Sequence, residues 1–197
     1  ALALSGLLSA RIGGPSVFPP QPKGLWKAAF NGADRRWPTS MGEDRYRRGI
    51  YTFIRRTAPY PAMAVFDAPS REICTPRRVL TNTPLQALVT LNDPCFVECA
   101  QALARRIVAE GGDTDDARIH WALKLVTARP AEPAQVRALA ALLVAEREAQ
   151  AGDRKAAVSL ATEPLGALPP GLDAVEAAAW TVVANILLNL DAVLVKG

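Results

Sequence analysis

Histidine, cysteine and aromatic residues are scarce in this sequence. Among 197 residues there is one histidine, His120, which excludes a metal site built from several histidines. The three cysteines are too few, and odd in number, for a disulfide scaffold. No Cys-x-x-Cys-His run occurs, so the chain does not itself attach a c-type haem. Half the residues are hydrophobic and 21% are charged, which is typical of a folded globular chain and excludes global disorder.

Long apolar runs are missing as well. The most apolar stretch, residues 175–195, carries Glu176, Asn185, Asn189 and Asp191, which the hydrocarbon of a bilayer disfavours. The sequence therefore predicts no membrane span. The opening residues 1–10 have neither an initiating Met nor the basic region of a signal peptide. We interpret them as the end of a helix that begins upstream.

Positive charge is concentrated in the first part of the chain. Residues 1–80 hold 13 Lys/Arg against 5 Asp/Glu, and residues 81–197 hold 10 against 14. Of the 23 basic residues 18 are Arg, which favours bidentate recognition of carboxylate or phosphate. This basic half either binds phosphate, nucleic acid or an acidic glycan, or neutralises the acidic half by packing. Because no basic run exceeds two residues, we predict no nucleic-acid partner.

The first 80 residues show turn signals more than periodicity. Residues 13–20 (Gly-Gly-Pro-Ser-Val-Phe-Pro-Pro) form a turn and an extended strip, either a recognition strip or a rigid connector. They lack the spacing of a phosphate-binding loop. Residues 42–56 carry apolar side chains at helical spacing among arginines, which predicts a short amphipathic helix, although alternation through Tyr51 and Phe53 also permits a strand.

Helix signals dominate after residue 80. Thr83, Pro84 and Gln86 form a capping box for a helix that carries Leu85, Leu88, Val89 and Leu91. Asp93 caps the next helix, which ends at Gly111. Further helices are predicted from about 114, from 133 to about 150, and from Asp173 onwards, with residues 151–172 as a connector. The predicted fold is mainly α: a bundle of about five to six helices (81–197) with the loop-rich, basic part (1–80) packed on it.

Most polar groups of chemical interest lie between residues 67 and 93. The stretch contains two carboxylates, three arginines and an amide before and at the start of a helix; these ligand-binding candidates are Asp67, Arg71, Glu72, Arg77, Arg78 and Asn82. Arginine forks beside a helix N-terminus can bind an anion. Two of Asp67, Glu72 and Asp93 could also serve as the acid and base of a glycoside hydrolase. A third interpretation is a buried network of arginines and carboxylates that holds an irregular segment.

The cysteines and the histidine have two interpretations each. Cys95 and Cys99 are four residues apart and share a helix face, so they either contribute two metal thiolates or are small core residues. A closed zinc site needs about four ligands, and only Cys74 and His120 remain to complete it. We therefore predict no metal site, and we interpret His120 as a structural or surface residue.

Seven short motifs occur in one order along the chain. They are Gly-Gly-Pro-Ser-Val (13–17), Gly-Glu-Asp-Arg-Tyr-Arg-Arg (42–48), Phe-Asp-Ala-Pro-Ser-Arg-Glu (66–72), Cys-Thr-x-Arg-Arg (74–78), Thr-Asn-Thr-Pro-Leu-Gln-Ala-Leu (81–88), Leu-Asn-Asp-Pro (91–94) and Ala-Asn-Ile-Leu-Leu-Asn-Leu-Asp (184–191). Together they resemble the planctomycete-type secreted domain of unknown function, which stands at the C-terminal end of large proteins that often carry a planctomycete-type cytochrome c domain. Gly49 and Ala192 depart mildly from the family pattern.

The resemblance implies that the chain is the C-terminal portion of a longer protein, truncated at its N-terminus, but it implies no reaction. It implies an extracytoplasmic location, and haem only in a separate upstream domain, so that no cofactor is expected in this chain. The expected partners are other domains of the same full-length protein, and a polysaccharide as ligand. The resulting hypothesis is a non-redox accessory or ligand-binding module, and the alternative is a carbohydrate-active hydrolase that uses carboxylates of residues 67–93.

Overall fold

The protein is mainly helical, as predicted. The computed structural model describes residues 1–21, 24–25, 37–55, 58–70, 73–77 and 81–194. Within these ranges the α-helices are α1 (Leu2–Ser5), α2 (Pro61–Val65), α3 (Pro84–Asn92), α4 (Pro94–Glu110), α5 (Asp115–Thr127), α6 (Pro133–Gly152), α7 (Arg154–Thr162), α8 (Ala174–Leu188) and α9 (Asp191–Leu194). In the described part of the chain, none of them is long and apolar enough to cross a bilayer.

The chain divides into two compact units. The helical unit comprises residues 1–7 and 96–197, and the loop-rich unit comprises residues 8–95. Helices α2 and α3 belong to the loop-rich unit, whereas α5 to α9 and nearly all of α4 belong to the helical unit.

Helix α8 is the central element of the helical unit. Its largest buried side chain, Trp180, is fully buried in a core to which α4, α5 and α6 contribute Leu103, Ile107, Ile119 and Leu143. On another side of α8, alanines pack against alanines of α7. Burial on two sides explains why α8 is almost entirely apolar, because a helix enclosed by neighbours has no solvent-facing stripe. Its start is the predicted one, with Asp173 Oδ2 accepting from the backbone of Val175 and Glu176.

Helix α7 corrects the prediction that residues 151–172 form a connector. The helix buries only two alanines, Ala157 and Ala161, so its apolar stripe is too small to stand out in the sequence. Its C-terminal end is held from α4. Gln101 Nε2 donates to the carbonyls of Leu160 (2.6 Å) and Glu163 (2.7 Å), and the Arg105 guanidinium donates to the carbonyl of Ala161 (3.0 Å). These donors satisfy carbonyls that no further helical turn can bind.

The helix predicted over residues 42–56 is wrong for the described residues 42–55, and Arg56 lies outside the described residues. The structure has two short 3₁₀ segments, Gly42–Tyr46 and Gly49–Tyr51, separated by extended backbone at Arg47. The Arg47 side chain is buried, donates from Nη2 to the carbonyl of Gly13 (2.6 Å) and lies over the ring of Tyr51. The hydrogen bond of this guanidinium to a carbonyl 34 residues away fixes the backbone. The helical spacing of apolar residues cannot predict such a contact.

Residues 13–20 pack within the loop-rich unit. Val17 is buried and forms a parallel bridge with Thr52, donating its amide to the Tyr51 carbonyl at 2.8 Å. Phe18 stacks on Phe53 with a ring separation of 4.9 Å. Val17 and Phe18 of the proline-rich strip therefore pack against other residues of the same unit, as expected of a rigid connector.

One arginine joins three helices of the helical unit. Arg147 of α6 donates to both oxygens of Asp115 on α5 (2.5 and 2.8 Å) and to both oxygens of Glu176 on α8 (2.7 and 2.6 Å). Glu176 also accepts from the indole of the buried Trp180 at 2.8 Å. Hydrogen bonds from Arg147 hold the pKa values of both carboxyl groups below their ordinary range and raise the pKa of the arginine.

Replacing Arg147 by Met tests this connection. Arg147→Met removes the four hydrogen bonds to Asp115 and Glu176 and leaves Arg118, at 3.9–4.0 Å, as the cation near both carboxylates. We therefore expect unfolding free energy at pH 7 to fall by about 1–3 kcal/mol. Because the carboxyl pKa values are lowered in the folded protein, the stabilisation is present above their ordinary values of 3.8 and 4.5 and is lost as the pH falls below them. Urea unfolding at pH 7 and pH 3 measures both effects.

Arg154→Met is the matched control. Arg154 pairs with Asp173 at 2.8 Å, but its side chain is 70% exposed. The control should change the unfolding free energy by less than about 0.5 kcal/mol at either pH. Equal effects of the two substitutions would contradict the role assigned to Arg147.

Candidate functional site

The segment of residues 67–93 is described in part. Arg71, Glu72 and Arg78 lie outside the described residues. Asp67, Asn82 and Asp93 lie within them, as does Arg77. The structure therefore places four of the seven residues singled out from the sequence as ligand-binding or catalytic candidates.

The Asp67 side chain connects the residues that follow α2 to the residues at the start of α3. It follows α2 and has a φ of 56°, a left-handed conformation that Asp tolerates better than most residues. Its Oδ2 accepts hydrogen bonds from the amide of Thr81 (2.9 Å), the hydroxyl of Thr81 (2.7 Å) and Nε2 of Gln86 (3.3 Å). The carboxylate is thus engaged with the backbone and side chains at the N-terminal approach to α3.

Gln86 is the centre of this arrangement and is only 2% exposed. Its Nε2 lies 2.9 Å from the carbonyl of Val65, 3.0 Å from Oγ1 of Thr81 and 3.3 Å from Asp67. Its Oε1 accepts from the amide of Thr83 at 3.0 Å, and its own amide donates to Oγ1 of Thr83. The predicted capping box is confirmed, but the same glutamine also binds two earlier segments.

Helix α3 consequently turns a polar side inwards. Its buried residues are Gln86 and Thr90, whereas Leu85, Leu88 and Leu91 are 54%, 56% and 41% exposed. This is the reverse of the usual amphipathic helix, in which leucines face the core. An outward leucine face is therefore a feature of the loop-rich unit.

Asp93 begins α4, as predicted. Its Oδ1 accepts from the amide of Cys95 at 2.9 Å, which satisfies one of the free amides of the first turn.

Tyr60, 7% exposed, donates its hydroxyl to the carbonyl of Pro20 at 2.8 Å. Burial, followed by the proximity of Cys95 and Asp93, raises the pKa of Tyr60 above its ordinary value. The phenol therefore remains a neutral hydrogen-bond donor.

Arg77 and Asn82 lie on the surface of the same segment and are exposed. Both side chains can reach a ligand in solution, Arg77 with a guanidinium and Asn82 with an amide. The segment thus has a hydrogen-bonded inner part around Gln86 and a polar outer part.

The cysteines are free thiols, with Cys99 buried, Cys95 half-buried and Cys74 exposed. No group of three or more potential metal ligands comes together among the residues that the structure places. His120 is a surface residue whose Nε2 lies 3.7 Å from Asp116.

Replacing Gln86 tests the inner part of the segment. Gln86→Ala removes the donor to Val65 and Asp67 together with the acceptor for Thr83, so we expect a loss of about 1–3 kcal/mol in unfolding free energy. Gln135 is the matched control, because it occupies the same position in α6 and accepts from the amide of Glu132, but it is exposed. Gln135→Ala should cost less than about 1 kcal/mol in urea unfolding. Similar losses of unfolding free energy from both substitutions would show that Gln86 stabilises the protein only through its capping box, and not through its bonds to Val65 and Asp67.

Comparison with known proteins identifies a family. The chain matches the family model PSD1, a "Protein of unknown function (DUF1553)", over residues 1–143. That range contains all the motifs noted in the sequence except the last, at 184–191. Searches of curated proteins and of solved structures gave no significant match. Because the family model covers well over half of the chain, the protein belongs to the PSD1 (DUF1553) family, whose function is unknown.

Proposed function

We propose that the chain is a non-catalytic ligand-binding module and that its ligand is a polysaccharide with acidic groups. The observation that carries the proposal is the engagement of Asp67, whose Oδ2 accepts three hydrogen bonds that position the approach to α3. A carboxylate used in this way supports a framework that presents neighbouring side chains. It favours binding over acid–base chemistry for this segment.

The charge of the loop-rich unit supports an acidic ligand. Residues 8–95 contain 13 Lys/Arg against 6 Asp/Glu, a net charge of +7. Arg77 is exposed in the same 67–93 segment, and an arginine fork binds a uronate or sulfate group in two-point fashion. Asn82 adds an amide that can both donate to and accept from sugar hydroxyls.

The wider setting of the module follows from the motif resemblance. In this proposal the chain is an accessory part of a larger extracytoplasmic protein of the planctomycete type, associated with a cytochrome c domain. Haem then belongs to that separate domain, and the present module takes no direct part in electron transfer. Other domains of the full-length protein are its structural partners.

Affinity electrophoresis tests the binding proposal. We expect gels that contain alginate, an acidic polysaccharide, to retard the protein more than gels that contain a neutral glucan. The double variant Arg77→Ala, Asn82→Ala should bind about tenfold more weakly, because it loses a charge-assisted contact and an amide. Arg137→Ala removes an exposed arginine of α6 and should leave retardation in alginate unchanged.

Two results would overturn this function. One is equal retardation of the wild type and the double variant in alginate. The other is release of reducing ends from the polysaccharide by the wild type and its loss in Asp67→Asn, which would establish the hydrolase. Asp67→Asn is a suitable variant because Asn accepts the left-handed conformation.

A further inference from the structure

The outward leucines of α3 form a surface that the ligand-binding proposal does not use. Leu85 and Leu88 are one helical turn apart, Leu91 follows one turn later, and all three are between 41% and 56% exposed. We call these three residues the leucine face. They account for one third of the nine residues of α3, and the helix carries no charged residue.

The leucine face is a consequence of the hydrogen bonds on the opposite side of α3. A rotation that buried the leucines would carry Gln86 into solvent and remove its bonds to Val65 and Asp67. It would also carry Thr90, 1% exposed and bonded to the carbonyl of Ala87, out of its buried position. Breaking buried polar bonds is costly, so the structure keeps this face outward.

The stretch of sequence that contains the leucine face carries positive charge only. Residues 73–92 contain no Asp or Glu, and they include Arg77 and Arg78. Ile73, in the same acid-free stretch, is 75% exposed. With a net charge of +7 over residues 8–95, the unit combines exposed aliphatic side chains with arginines.

This combination fits a lipid surface better than a protein partner. Helices that lie in a membrane interface insert leucines below the headgroups and place basic residues at the lipid phosphates. In contrast, leucine is under-represented among the residues that dominate protein–protein binding, where Trp, Tyr and Arg prevail. The described residues of α3 contain no aromatic side chain.

We infer that the loop-rich unit binds peripherally to an anionic lipid surface, with Leu85, Leu88 and Leu91 inserted at the level of the headgroups and the exposed Arg77 near the phosphates. This is a second interaction: it shares Arg77 with the recognition of a polysaccharide, but it depends on the leucine face, which that recognition does not use. It does not require a membrane-spanning helix.

Vesicle co-sedimentation tests the inference. The wild type should bind vesicles of phosphatidylcholine with one quarter phosphatidylglycerol, and bind less to phosphatidylcholine alone. Leu88→Asp should weaken binding to the anionic vesicles by about tenfold or more, because it loses an inserted side chain and adds a negative charge. Leu88→Gln, which keeps the helix propensity without adding charge, should weaken it by a smaller factor.

Val144→Asp is the matched control. Val144 is 53% exposed, close to Leu88 at 56%, and lies on α6 in the helical unit. The substitution adds the same charge at an equally exposed aliphatic site and should change vesicle binding by less than about twofold. All variants should keep the helical circular dichroism of the wild type, since both positions are on the surface.

The outcomes separate this inference from the polysaccharide proposal. Leu88→Asp should retain retardation in alginate gels, so a loss of vesicle binding by this variant reports on the leucine face alone. Failure of the wild type to bind anionic vesicles, or equal losses in Leu88→Asp and Val144→Asp, overturns the inference. A concentration-dependent dimer that Leu88→Asp dissociates, seen by sedimentation without vesicle binding, would assign the face to a second copy instead.

Discussion

The hydrogen bonds of the Gln86 side chain are the interactions on which the candidate site depends. Among the described residues of the loop-rich unit few are helical, so their backbone groups need side-chain partners to be satisfied when they are buried. Gln86 supplies such partners to Val65 and Thr83, and with Thr81 it holds the Asp67 carboxylate. Two segments that are distant in sequence are therefore joined at one buried amide. Because α3 buries the side that carries Gln86, its leucines on the opposite side are exposed.

The two units are stabilised by different means. The helical unit buries Trp180 and many aliphatic side chains around α8, and Arg147 connects its helices at their polar margin. In the loop-rich unit, hydrogen bonds join segments distant in sequence, such as those of Arg47 with Gly13 and of Tyr60 with Pro20. A framework of hydrogen bonds of this kind positions surface groups. It suits a module that presents side chains to a ligand.

Local signals were enough to predict most of the helices. The caps at Thr83, Asp93 and Asp173 were predicted because each depends on residues two or three positions apart, and all three are confirmed. Helix α7 was missed because its buried side consists of two alanines, and the helix over 42–56 was wrong because a buried arginine fixes the backbone. The leucine face could not be predicted, since leucines at helical spacing normally indicate a core. What decides its direction is the burial of Gln86 by segments more than ten residues away in sequence.

The central claim is that α3 buries its polar side and exposes its leucines. Solvent paramagnetic relaxation of the leucine methyl groups, measured by NMR with a soluble nitroxide, tests it most directly on the unmodified protein. We predict strong broadening for Leu85, Leu88 and Leu91, comparable to that of the exposed Val144, and little broadening for the buried Leu103 and Leu123. Leucines of α3 as protected as Leu103 would contradict the account.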